Sequence, residues 1–398
     1  MIARHTPLDP AGTCNPGFHR VRDLFHRNFK DGREVGAALC ICVEGEVVVD
    51  LWAGWTDARK KAFWRHDTLA TIYSCTKGLA ALCALRLVDQ GKLELNAPVA
   101  AYWPAFAQHG KESITLRQVL GHRAGLPAIR GALPEAALQD VTIVERHLEQ
   151  TRPWWQPGTA HGYHALTIGW LLGRLVRNVS GKSLGNYFAD EIARPLGLDI
   201  HIGLPMAEAH RLSRPAFSRA LLTPHADVAK LAYGILRDGR DAMAIRAFTN
   251  PRHLGMHAAK VSHDWHQNEH PAANGMATAR DLARLFAILA QGGTDKNGYR
   301  VLSRETLSLC WDEQSAGHDR ILKRPTRFSH GFMMGQADPL ASFGPGPRNF
   351  GHTGLGGTLT VADPDQKAGF AYVTNRLGNY LLVDPRARDM LALFYRCL

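Results

Sequence analysis

Hydrophobic and polar positions along VGAALCICVEGEVVVDLWAGWTD, Val35 to Asp57, form two β-rich runs broken at Glu44-Gly45-Glu46, a pattern that predicts a hairpin. The period then lengthens. SCTKGLAALCALRLVDQGKL, from Ser74, carries apolar residues at helical spacing and ends in Gln90-Gly91-Lys92, where the glycine suits the left-handed position after a helix. Ser74 is thereby predicted at the start of a helix. From about Asn96 to about Asn250 the segments SITLRQVLGHRAGLP, VTIVERHLEQ, YHALTIGWLLGRLVRNVSG and SLGNYFADEIARPLGL read as helices with Pro and Gly connections. An amphipathic helix follows in TARDLARLFAILAQGG. Strand patterns return in HGFMMGQ and in TLTVADPDQKAGFAYVTN, with a turn at Asp363-Pro364-Asp365, before a last helix in DPRARDMLALFYRCL.

That order of elements implies an α/β domain assembled from both ends of the chain, residues 1–95 and 265–398, with a mainly helical domain, residues 96–264, inserted between them. The length of 398 residues calls for two structural parts, and 45% hydrophobic with 21% charged residues excludes disorder. The first residues, MIARHTPLDPAGTCNPGF, lack an apolar signal core, and no window approaches the roughly 18 apolar residues of a membrane span. A cytoplasmic location with no membrane partner is expected. The net charge of +11 is spread along the chain, with ARKK at Ala58 to Lys61 the densest run and no nucleic-acid-binding signature, so no nucleic acid partner is expected. The seven cysteines form no zinc pattern and read as reduced, mostly buried thiols.

Two serines compete for the role of nucleophile. GKSLG, Gly181 to Gly185, fits the G-x-S-x-G pattern, but a nucleophile elbow needs a strand before its serine, and Ser183 falls between two predicted helices. It reads as a helix N-cap. Ser74-Cys75-Thr76-Lys77 is an S-x-x-K tetrad: residues three apart share a helix face, so the Lys77 amine can reach the Ser74 hydroxyl and assist its deprotonation. Taken alone, the tetrad reads first as a helix-capping serine with a surface lysine.

The wording TIYSCTKGLAAL, with TLRQVLGHRAGLP downstream, resembles the serine β-lactamase and penicillin-binding-protein superfamily, most closely its class C-related esterase branch, the family VIII carboxylesterases. The resemblance runs from about Val35 to about Asn375. It implies a β-lactamase-like fold with a central antiparallel sheet, no cofactor and no metal, and an acyl-enzyme on Ser74. It further implies that Tyr163 of PGTAHGYHALTIGWLLG acts as base and then acid, which near neutrality requires Lys77 to favour a phenolate. His352-Thr353-Gly354 of FGHTGLGGTLTV stands where the family has a K-T-G-like triplet, and the amides of Leu355 and Ser74 would form the oxyanion hole. His164 and Trp155 complete the set of substrate-binding candidates.

Two departures from the family pattern bear on the substrate. Tyr163-His164-Ala165 lacks the asparagine of Tyr-x-Asn, and His352 replaces the lysine of the triplet. Both favour hydrolysis of small esters over efficient β-lactam cleavage. Amide hydrolysis, acyl transfer and slow cephalosporin cleavage stay open on the same site, as does a non-catalytic relative. Trp154 and Trp155 suit an acyl pocket or packing of the helical part. His253, His257, His263, His266 and His270 crowd a stretch expected to be an exposed loop without metal.

Overall fold

The computed structural model describes residues 8–217, 225–237, 243–251 and 263–398. Three strands open the chain, β1 (Ala11–Cys14), β2 (Gly36–Val43) and β3 (Glu46–Gly54). A small second sheet gathers β4 (Ala70–Tyr73), β5 (Ile200–Ile202) and β6 (Gly275–Ala277). The C-terminal part supplies β7 (Ser315–His318), β8 (Pro325–Phe328), β9 (Met333–Met334), β10 (Phe350–Thr353), β11 (Leu359–Asp363) and β12 (Ala368–Thr374). The main sheet has nine antiparallel strands in the order β1-β3-β2-β12-β11-β10-β9-β8-β7, so the two ends of the chain meet at β2 against β12, where Ala37 pairs with Thr374 and Val43 with Ala368.

The predicted hairpin is β2–β3. Its two-residue turn puts Glu44 and Gly45 at φ values of 50° and 89°, a primed turn that matches the twist of the strands it joins. Alternation along β2 divides the core. Cys40 and Cys42 face one buried cluster with Leu282, Leu285 and Phe286 of the helix Ala279–Ala290, whereas Leu39 and Ile41 face another with Val21, Phe25 and Phe29 of His19–Lys30 and Met390 and Phe394 of Pro385–Tyr395. Gly369 of β12 permits close helix packing, because a Cβ there would lie 2.2 Å from the Ala283 carbonyl oxygen.

Between residues 99 and 196 every named element among the described residues is helical, including Val141–Gln150 and Thr167–Ser180. This block shares its core with the rest: Leu171, Leu172 and Leu175 lie in the same buried cluster as Leu79, Leu82 and Leu285. The helix predicted from Ser74 spans Thr76–Asp89 and ends as its sequence requires. Gly91 is left-handed at φ 67°, its N–H donates to Val88 O, and that of Lys92 donates to Leu87 O, the paired bonds of a Schellman motif.

Ser183 caps the helix beginning at Leu184, accepting a hydrogen bond from the Asn186 N–H at 3.3 Å, and donates its own hydroxyl to Glu269 at 2.5 Å. Ser183→Ala is expected to cost about 1 kcal/mol of stability, read by denaturant unfolding, with activity unchanged. His263–Gln267, expected as loop, is a short helix, because its neighbours fold back as a closed loop on Asn274: the amide of that side chain donates to Trp265 O and Asn268 O, and its oxygen accepts from His270 N. His253 and His257 lie outside the described residues. No helix among the described residues is long and apolar enough to cross a membrane.

Candidate active site

Ser74 lies in the turn between β4 and the helix Thr76–Asp89, the strand–turn–helix setting that Ser183 lacks. It sits just outside the helix, not in its first turn. Tyr73 before it is left-handed at φ 47°, a conformation that costs a bulky residue about 1–2 kcal/mol and is held here by its surroundings. Thr76 buttresses the turn, donating its hydroxyl to Tyr73 O and accepting from Gly275 N–H at 2.8 Å.

Lys77 is fully buried, with Nζ 3.1 Å from Ser74 Oγ and donating to Ala272 O at 2.8 Å. The same nitrogen lies 4.8 Å above the Tyr163 ring, and the Ser74 hydroxyl is near enough to the Tyr163 phenol to favour its ionised form, a smaller effect than burial. Ser74 is partly exposed while Lys77 and Tyr163 are buried.

Burial sets the protonation states. It lowers Lys77 to about 7 and pushes the Tyr163 phenol above its ordinary value. This reverses the expectation of a Lys77 cation favouring a Tyr163 phenolate. In so dry a site both groups resist charge, and the lysine is the one that loses its proton near neutrality.

Three imidazoles surround the tyrosine. Nδ1 of His352 donates to Thr353 O at 2.7 Å, which leaves Nε2 as an acceptor with no partner among the described residues, its ring 6.0 Å from that of Tyr163. His122 accepts the His164 backbone N–H on Nδ1 at 3.0 Å, so its unpartnered Nε2 carries the proton. Burial lowers His352 to about 3, His164 to about 4 and His122 well below the usual histidine range, so all three are neutral. His164 does not face substrate as expected. Its Nε2 accepts from Leu126 N–H, its Nδ1 donates to Gly162 O, and no polar atom remains for a ligand. Trp155 likewise spends its indole N–H on Ala160 O and packs edge-on to His164.

The Gly354 backbone runs against the strand leading to Ser74: a Cβ there would lie 2.5 Å from Ile72 O. The Cys75 thiol adds a second tie across this seam, donating to His352 O at 3.1 Å. Among the described residues neither the Ser74 nor the Leu355 amide has an intramolecular acceptor, which leaves both N–H groups available to donate. The loop carrying Leu355 is held from behind by Arg386, a buried side chain that donates to Gly356 O at 2.6 Å and pairs with Glu34 and Asp384. Thr353 points elsewhere, its hydroxyl 3.6 Å from Met333 sulphur.

The family described as beta-lactamase matches residues 21–393. The chain belongs to the beta-lactamase family. Within it, the chain is 36% identical over 385 residues to the esterase/beta-lactamase LipL of Mycobacterium tuberculosis (strain ATCC 25618 / H37Rv), covering 94% of this chain and 85% of that protein. Among solved structures, a family VIII carboxylesterase superposes with a TM-score of 0.87 at 37% identity, covering 98% of this chain and 100% of the other. A penicillin-binding protein homologue from Caulobacter crescentus gives 0.88 at 36%, with the same coverage. The β-lactamase-like fold implied by the resemblance in TIYSCTKGLAAL and TLRQVLGHRAGLP is therefore the fold of this chain.

Sequence reasoning missed several residues that build this beta-lactamase-family site. Ala272 acts through its backbone carbonyl, which leaves no side-chain signature. Asp319 and Arg386 lie far along the chain from the motifs they support, and no local spacing connects them; His122 stands within TLRQVLGHRAGLP, but nothing in that wording shows that it receives the His164 backbone N–H.

Proposed function

We propose that this serine hydrolase cleaves small, neutral carboxylic esters through an acyl-enzyme on Ser74. The observation that carries the reading is a buried Lys77 amine, lowered to about 7, within hydrogen-bond reach of a partly exposed serine hydroxyl. Unprotonated Lys77 takes the Ser74 proton as Oγ attacks the carbonyl. The amides of Ser74 and Leu355 receive the oxyanion. Tyr163, kept protonated by burial, passes a proton to the departing alkoxide, and the reverse transfers activate water to release the acid.

The neutrality of His352, His122 and His164 supports the substrate class. With a histidine in place of the triplet lysine there is no fixed cation at His352 for a substrate carboxylate, so neutral esters fit better than carboxylated β-lactams. Action in the cytoplasm on a small-molecule ester, without nucleic acid or membrane, completes the proposal.

Brief exposure to a p-nitrophenyl ester, acid quenching and peptide mass mapping test it. An acyl group on the peptide containing Ser74 is the expected result, and an adduct on Ser183 or none at all sinks the reading.

A further inference from the structure

Tyr163 belongs to a stretch, His161 to His164, with neither helix nor strand to hold it. Its position is set from outside. The Tyr163 N–H lies 3.1 Å from each carboxylate oxygen of Asp319, a fully buried residue 156 positions away. Asp319 sits in the connection between β7 and β8, where Oδ1 also accepts from Ile321 N–H and Leu322 N–H at 2.8 Å and Oδ2 from the Thr326 hydroxyl at 3.1 Å. Since Thr326 gives its hydroxyl proton to Asp319, it accepts from His161 Nε2 at 3.0 Å. Arg320 N–H adds a bond to His161 O at 3.2 Å.

Four donors and no ion pair among the described residues balance this carboxylate. A turn needs only the Ile321 and Leu322 bonds. Thr326 also ties the connection to β8, but the bonds from Asp319 to Tyr163 and from Thr326 to His161 leave the hairpin and fix the tyrosine segment. The same hairpin holds the ring: Phe328 of β8 stacks on Tyr163 at 6.0 Å between centroids with planes 10° apart. Gly162 lets the two segments touch, because a Cβ there would meet Trp155 at 2.9 Å, Ile321 at 3.2 Å and Arg320 at 3.3 Å.

We propose that Asp319 is a positioning residue for proton delivery to the leaving group, fixing through the Tyr163 backbone where the phenol stands relative to Ser74. The inference rests on the role of Tyr163 given above. It predicts a dependence on the leaving group that general destabilisation does not produce: a p-nitrophenolate departs without a proton, whereas an alkoxide needs one.

The test compares Asp319→Asn, Thr326→Val, Tyr163→Phe and the doubles with Tyr163→Phe on a p-nitrophenyl ester and an alkyl ester of the same acid, with rates normalised to sites titrated by a fluorophosphonate. Asp319→Asn is expected to lower kcat/KM for the alkyl ester by about 100-fold, chiefly in kcat, and for the aryl ester by less than about threefold. Added to Tyr163→Phe, it should change neither further. Thr326→Val should show the same selectivity in weaker form, and it carries the test if Asp319→Asn does not fold. Equal losses on both esters, or additive losses in the Tyr163→Phe background, overturn the proposal. If Tyr163→Phe itself fails to discriminate between the esters, the assigned role of Tyr163 falls and this inference with it. If Tyr163→Phe discriminates and neither Asp319→Asn nor Thr326→Val does, the inference alone is wrong.

Discussion

Ser74→Ala is expected to lower kcat/KM on a p-nitrophenyl ester by about four orders of magnitude or more, while Ser183→Ala keeps the wild-type rate. The size follows from what is removed. Without Oγ no acyl-enzyme forms, and the remaining rate is what the free Ser74 and Leu355 amides contribute by stabilising direct attack of water. The fold should not suffer, because the turn is held by Thr76 and by the Cys75 bond to His352 O. Steady-state kinetics beside circular dichroism check both halves. Equal activity in wild type and Ser74→Ala, or loss in a folded Ser183→Ala, refutes the assignment.

Lys77→Met should abolish activity to a similar extent and, in the same protein, raise stability at neutral pH. The wild-type amine is lowered to about 7 by burial, against an ordinary value near 10.4 in the unfolded chain. Between those values the unfolded state binds more protons than the folded one, so the lysine's contribution is present in full above about 10.4 and is lost as pH falls through about 7. A lowering of this size corresponds to roughly 5 kcal/mol, a cost that the methionine variant escapes. Urea unfolding at neutral and alkaline pH checks the sign: the advantage of Lys77→Met should shrink as pH rises. The wild-type kcat/KM should climb as pH rises through about 7 and then level off, since the unprotonated amine accepts the serine proton. A flat stability difference, or a rate that falls over that interval, contradicts the role given to Lys77.

Much of the fold was legible because its elements announce themselves locally. The β2–β3 hairpin alternates around a short turn, and Gly91 stops its helix where a left-handed residue is needed. The β7–β8 hairpin was not legible: three of the four β7 residues are exposed and lack an apolar alternation, and β8 opens on Pro325. His19–Lys30 was legible and passed over: Val21, Phe25 and Phe29, its buried apolar residues, recur at helical spacing among charged neighbours. At the site, Ser74, Lys77 and Tyr163 were found from spacing and wording, and the structure brings them together. Their protonation was misjudged because sequence shows which groups are near one another but not how little water reaches them. His164 shows the same limit, since only the fold reveals that the backbone occupies both its nitrogens.

The pairing of β2 with β12 also governs how the enzyme comes into being. Gly36 N–H donates to the Asn375 side chain across 339 positions of sequence, and β10 and β11, which carry the triplet and its supporting strand, join the sheet through β12. Closing so long a loop incurs its entropic cost before the neighbouring contacts can compensate, which makes such topologies slow to fold. Hydrolysis regained during refolding should therefore appear late and in step with completion of the central sheet. An early, partly folded species would have Lys77 on its helix with Ser74 in the turn before it, and no Leu355 amide beside them to receive an oxyanion.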